Sequence, residues 1–407
     1  MTTSPPPPAV APPAPAPQVT PVPAAERAVA PDVARGLALL GIAIANAVGH
    51  LWGVATGPGG RPVDGSTLDR IVDGVVALFV DRRTMPMFAL LYGYGIGVVV
   101  RRRAAAWVPW PACRADLLRR AGWLVAFGVA HIVLLWEGDI LATYGLTGLL
   151  AVAFVRVPGR VLAVVAVVTL LLSGLLNGAL ESLSLLSGGE AAGLEGAETS
   201  PWVALLVRLA ALLVAPLGVL VALPLVLAGL WAARRSVLER PAEHLPLLRR
   251  WALGGLAVSV VGGLPMALAV ARVWEPSPAQ LFWPGTLHMV SGAFGGVAFA
   301  ALVAWVVAAR GTTLTTLGPV GRALRAVGTR SLSCYLLQSV LFVVPLAAWT
   351  LGLGQHLSSA QVVAWAVGVW LVTVAFAVVL ERSGRRGPVE AVYRRLVYRS
   401  PAPAPAR

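Results

Sequence analysis

Apolar residues run through this chain in blocks of roughly 17–25, and short clusters of charge separate the blocks. A helix needs about 20 apolar residues to cross a bilayer core, so blocks of this length predict membrane spans. Ten are predicted, near 33–54, 84–100, 120–137, 139–156, 159–180, 204–233, 251–272, 286–309, 331–352 and 360–381. The block at 204–233 is long for one span and holds Pro216 and Pro224, which leaves it kinked, tilted or split. The stretch 66–82 predicts an amphipathic helix at the membrane surface rather than a span. Near the end, "GPVEAVYRRLVYR" places Val389, Val392, Tyr393, Leu396 and Val397 on one helical face and arginines on the rest. That is a basic amphipathic helix suited to the inner membrane surface. The predicted fold is all-α, a polytopic integral membrane protein of the cell (inner or plasma) membrane. Its divisions are a Pro/Ala-rich tail (1–30), a transmembrane helical domain (31–382), a basic cytoplasmic helix (383–400) and a loose tail (401–407).

Composition agrees with that pattern. Of 407 residues, 57% are hydrophobic and 12% charged, and a soluble domain carries about twice that charged fraction. The positive residues fix an orientation. All 32 are arginine, and most gather in the segments that bound alternate spans: Arg101–Arg103, Arg119 and Arg120; Arg156 and Arg160; Arg234 and Arg235; Arg322, Arg325 and Arg330; Arg385, Arg386, Arg394 and Arg395. By the positive-inside rule that face is cytoplasmic, and both termini lie there. Asp64, Asp69, Asp73, Asp81, Glu137, Asp139, Glu181, Glu190, Glu195, Glu198 and Glu275 fall on the outer face. The net charge of +14 therefore reads as topology and contact with anionic headgroups, not as nucleic-acid binding. Residues 1–30 lack the charged, apolar and cleavage regions of a signal peptide, so the first span is expected to serve as its own insertion signal.

Other motifs carry little chemistry. Cys113 and Cys334 both map to the reducing side, where a disulfide is not expected. Two cysteines and five histidines give no metal-ligand spacing. The glycines of "YGYGIGVVV" imitate part of a dinucleotide fingerprint, but inside a span with no strand before them. Gly93 and Gly97 instead form a GxxxG step for close helix packing.

Four stretches in order, "DVARGLALLGIAIAN" (32–46), "RRAGWLVAFGVAHIVLLWEGDILATYGLTGLL" (119–150), "VGTRSLSCYLLQSVLF" (327–342) and "GPVEAVYRRLVY" (387–398), resemble the YeiB-like family of bacterial membrane proteins, a domain of unknown function. The resemblance covers roughly residues 31–400. By it, the family's shared positions include Asp32, Arg35, Asn46, Gly128, His131, Asp139, Tyr144, Arg330, Tyr335, Gln338, Ser339 and Glu390. The "RGLALL" opening is also similar to that of membrane acyltransferases, which move acyl groups onto sugars and envelope polymers. Those enzymes place a histidine eleven residues after the arginine, where this chain has Asn46; His50 lies one turn further on the same face.

These residues suggest two sites. In the outer half, His131 shares a face with Gly128, so it is expected to face the bundle. An intramembrane ionisable residue costs roughly 2–3 kcal/mol to insert and needs a partner. Its candidate partners are Asp139, Glu137, His50, His288 and Asp81 with Arg82 and Arg83. Here His131, Asp139 and His50 are candidate catalytic groups, with Glu137, Asn46, His288 and Tyr144 as candidate substrate ligands. At the cytoplasmic face, Arg35, Arg330, Asp32 and Gln338 form a candidate site for a phosphate-bearing acyl donor such as acyl-coenzyme A, since guanidinium matches phosphate bidentately. No bound cofactor or metal is predicted. The first function this implies is acyl transfer from a cytoplasmic thioester to a small envelope or exported molecule, with a histidine as general base. The second is transport or export of a small polar solute through the same polar groups.

Overall fold

The computed structural model describes residues 28–186 and 200–398. Most of the N-terminal tail, the C-terminal tail and Glu190, Glu195 and Glu198 lie outside the described residues. What is described is helical, apart from one isolated bridge between Thr56 and Pro62. The helices are α1 (Val29–Ala47), α2 (Thr67–Phe79), α3 (Thr84–Ala105), α4 (Trp110–Leu134), α5 (Leu141–Phe154), α6 (Gly159–Leu186), α7 (Pro201–Val214), α8 (Gly218–Arg234), α9 (Leu245–Val270), α10 (Pro278–Ala309), α11 (Pro319–Thr329), α12 (Ser331–Leu346), α13 (Ser359–Arg382) and α14 (Pro388–Val397). Eight helical segments among the described residues are long and apolar enough to cross a membrane, and α11 with α12 form an apolar pair bent by 86° at Arg330, the shape of a broken span or of a re-entrant loop. The predicted span at 139–156 is α5, whose 14 residues rise only about 21 Å, short of a bilayer core. The chain is a multi-pass membrane protein.

Local chemistry sets many boundaries. Capping boxes open α2 (Ser66 with Asp69), α10 (Ser277 with Gln280) and α13 (Ser358 with Gln361). Proline in the first turn starts α4, α7, α9, α11 and α14, where its missing N–H costs nothing. The long block at 204–233 resolves into α7 and α8 around a 3-10 turn at Ala215–Leu217, so Pro216 breaks it.

Helices α1, α3, α8 and α10 carry much of the core, through residues such as Leu39, Leu91, Val226 and Ala304. Helix α3 packs on α8, and Gly93 is needed there because a Cβ would collide with the Val226 backbone. On the outside, α6, α7, α9 and α13 expose Val164, Leu213, Val261 and Val379. Such rows are what hydrocarbon, rather than water, accommodates.

Both predicted amphipathic helices contact the rest of the protein. The stretch 66–82 is amphipathic, but with its polar face inward. Asp69 and Asp73 are buried while Leu68, Ile71 and Val75 are exposed. Asp73 sits 3.2 Å from Arg61, and Asp69 accepts a hydrogen bond from the Ala360 amide (2.8 Å), so ion pairs and cap bonds hold α2 against its neighbours. Helix α14 likewise docks on protein. Val397 is fully buried, and the Tyr393 hydroxyl donates to the Arg120 carbonyl (2.8 Å). Burial pushes the Tyr393 phenol up, which keeps it a neutral donor.

Candidate functional site

The central feature lies where α4, α5 and α12 meet. His131 is in the last turn of α4, and α4 ends at Leu134. The chain then turns through "WEGDI" into α5, whose first turn has amides without helical partners. Asp139 meets that need: its Oδ2 accepts from the Ala142 amide (2.6 Å). Its other oxygen, Oδ1, lies 2.9 Å from His131 Nδ1, and both side chains are completely buried. This second contact is at ion-pair distance without the alignment of a hydrogen bond. The opposite ring nitrogen, Nε2, is 2.8 Å from Ser339 Oγ on α12. The Tyr335 carbonyl one turn earlier, 3.3 Å away, is the alternative acceptor for the same Ser339 hydroxyl proton. Gly128 allows this meeting, because a Cβ there would collide with the Ala142 backbone and hold α5 away from α4.

A carboxylate, an imidazole and a hydroxyl thus stand in series. Nucleophile and base within hydrogen-bond reach, with the base oriented by a third group, is the arrangement that activates a hydroxyl. Before substrate binds, bonds in such a series are often poorly aligned, as the Asp139 contact is here.

A cavity of 840 Å³ leads toward this series from the arginine-bearing end. Arg102, Arg120, Arg385, Arg386 and Arg394 line its outer part; Tyr92, Phe88, Tyr144, Ile140 and Tyr335 line the inner part. Tyr144 stacks between Phe88 and Tyr92 with ring centroids 5.8 Å apart on each side, and its hydroxyl donates to the Met85 carbonyl (2.9 Å). The Tyr335 ring lies 5.3 Å from the His131 ring, so this tyrosine forms the wall between cavity and series.

The other candidate residues are placed as follows. His50 is buried between Trp136 and Phe342, with ring centroids 4.7 and 4.8 Å away. Asn46 is buried on α1, and Glu137 is exposed in the turn. His288 stands apart from His131. It contacts the fully buried Arg83 (3.0 Å), which also donates to Ser259 and to the carbonyls of Ala77 and Asp81. At the arginine-bearing end, Arg35 and Asp32 pair at 2.8 Å and line the cavity. Arg330 is held by Glu381 (2.7 Å) and the Arg385 carbonyl (2.7 Å). Gln338 is buried and donates to the Leu39 carbonyl (3.4 Å). Arg35 and Arg330 are thus already engaged by protein, and most of the rim's arginines are ones the sequence alone did not single out. Ser339 was also not among the site residues. Its signals are its place among the positions shared by the family that the sequence resembles and a hydroxyl four residues after Tyr335 on an apolar helix.

Comparison with known proteins follows the same lines. Residues 232–400 match a family described as "Protein of unknown function (DUF418)". The chain is 29% identical to the Uncharacterized protein YeiB of Escherichia coli (strain K12), over 93% of this chain and 98% of that protein. It is 28% identical to the Uncharacterized protein YxaH of Bacillus subtilis (strain 168), over 33% of this chain and 34% of that protein. These matches support the YeiB-like family that the sequence motifs resemble. The family match includes Arg330, Tyr335, Ser339 and Glu390, while His131 and Asp139 lie before it.

Proposed function

We propose that this protein transfers an acyl group from a coenzyme A thioester to a hydroxyl or amine of a small envelope or exported molecule. The arginine-bearing end faces the cytoplasm of a bacterial cell, with both termini on that side. The observation that carries this reading is the cavity, cationic at its mouth, aromatic at its depth, and ending at the wall behind which His131 bridges Asp139 and Ser339. Guanidinium groups at the mouth suit the phosphates of the donor, and the apolar interior suits its thioester arm and acyl group. His131 then serves as general base, oriented by Asp139.

Calorimetry on the detergent-purified protein tests the donor step. Acetyl-coenzyme A is expected to bind at micromolar Kd, and Arg120→Ala and Arg386→Ala to weaken it at least tenfold. Absence of binding by acetyl-, succinyl- and palmitoyl-coenzyme A would overturn the reading. A second function, export of a small polar solute, is favoured by the 86° break between α11 and α12 beside the cavity, since broken helices line transport sites. Solute flux in vesicles without any thioester consumption would move the assignment there.

A further inference from the structure

We infer that Ser339 is a nucleophile that carries the acyl group as a covalent ester between donor and acceptor. The inference rests on the acyl-transfer reading and deepens it. Three observations support it. Ser339 Oγ lies 2.8 Å from His131 Nε2, within the reach required of a base that takes a hydroxyl proton. Asp139 lies against the other nitrogen of the same ring, where it stabilises the imidazolium that forms. And Ser339 sits four residues, a rise of about 6 Å, beyond the cavity-lining Tyr335 on α12, on the side away from Arg330 and the arginine rim.

That placement gives the hydroxyl a use that a general base alone would not have. The rim that fits the donor is at one end of the bundle. The turn carrying Glu137 and Asp139 is at the other end of α4 from Arg119 and Arg120. An acyl group parked on Ser339, one turn behind the Tyr335 wall that closes the inner end of the cavity, can pass between partners that never occupy the site together.

The chemistry balances without an added reagent. Ser339 Oγ attacks the thioester carbonyl and its proton moves to His131 Nε2. An oxygen–carbon bond forms, the carbon–sulfur bond breaks, and the proton passes to the departing thiolate. In the second half the acceptor's hydroxyl or amine gives its proton to Nε2 and attacks the ester. Ser339 leaves and takes that proton back. For the carbonyl to reach Oγ, the Tyr335 ring must swing aside from the inner wall.

The test is acceptor-free labelling of the full-length protein, in a Cys113→Ser, Cys334→Ala background, with [1-14C]acetyl-coenzyme A. The expected result is a burst of roughly one thiol per chain, with the label on the peptide holding Ser339. Ser339→Ala loses burst and label while acetyl-coenzyme A binding by calorimetry is unchanged. Ser339→Cys, a variant of nearly the same shape, takes up the label as a thioester that neutral hydroxylamine removes, whereas the wild-type ester resists it. Donor binding without label at Ser339, or label on another residue, overturns the inference and leaves the acyl-transfer reading standing. Failure to bind any of the three thioesters overturns both.

Discussion

Asp139 makes two contacts through two different oxygens, and substitutions can separate them. Oδ2 satisfies the Ala142 amide at the start of α5, and Oδ1 faces His131 Nδ1. Asparagine keeps an oxygen for the amide but removes the negative charge beside the imidazole. Alanine removes both. A side-chain cap is worth about 0.5–2 kcal/mol, and asparagine caps about as well as aspartate. Asp139→Asn should therefore unfold close to wild type, while Asp139→Ala should be less stable by about 1 kcal/mol. Activity should divide differently. A carboxylate that orients and charges a catalytic histidine contributes about 10⁴ in rate when only its charge is removed. At 1.36 kcal/mol per decade that is about 5 kcal/mol of barrier, several times the cap.

The assay pairs two measurements on protein in one detergent: thermal unfolding by tryptophan fluorescence, and the initial rate of thiol release from acetyl-coenzyme A. The expected pattern is two equally inactive variants of unequal stability. If both variants lose stability alike, Oδ2 is not acting as a cap. If Asp139→Asn keeps more than a tenth of the wild-type rate, the charge at Nδ1 does not serve the reaction, and the role given to His131 falls with it.

Other consequences follow from packing and burial. Gly128→Val should destabilise by about 1–3 kcal/mol or abolish folding, because its side chain meets the Ala142 backbone, whereas Gly122→Val, which meets nothing within 4 Å, should be near neutral; size-exclusion profiles distinguish them. Arg83→Met should cost about 1–3 kcal/mol or more, since it strips the partner from the Ser259 hydroxyl, His288 and the carbonyls of Ala77, Asp81 and Ser259 in a buried setting; yield of monodisperse protein reads this out. Glu390→Ala should release α14, because that carboxylate holds the amides of Leu332 and Ser333 and the Ser333 hydroxyl at the start of α12; the segment 383–388 should then be cut faster by trypsin.

The sequence carried the helices well because the solvent problem is simple. Only a helix satisfies its own backbone in hydrocarbon, so block length locates the elements, although α4 and α10 begin ten and eight residues before their apolar blocks. It was less informative about direction. The period of 66–82 gives two faces but not which neighbour each one meets; in the structure Asp69 and Asp73 face protein and Leu68 and Ile71 face out. Partners at long range were least legible. His131 and Asp139 are eight residues apart across a tight turn, so their meeting could be anticipated. Ser339 is 208 residues from His131, and His288 is 205 from Arg83. No local pattern distinguishes which of two histidines meets which helix, because that depends on how α10 and α12 pack.

The two ends of the bundle handle charge in opposite ways, and this bears on where a substrate enters. At the end away from the arginine rim, Arg61 pairs with Asp73 (3.2 Å) and with Asp81 (2.5 Å), and Arg83 reaches the Asp81 carbonyl (2.6 Å). Arg61 is matched there by two carboxylates, and the donors of Arg83 are directed to protein acceptors. A buried balanced set of this kind is costly to open, since removing one member strands the others. None of these four residues lines the cavity. At the arginine-bearing end, pairs such as Arg325 with Glu381 remain partly exposed, and arginines outnumber carboxylates around the mouth. Excess positive charge at an opening draws anions, while a closed neutral lock excludes them. The donor should therefore enter from the arginine-bearing end, and its binding should weaken steeply with salt. Calorimetry at 50 and 500 mM NaCl should show acetyl-coenzyme A losing at least tenfold in affinity, and a salt-independent Kd would place the donor site away from the rim.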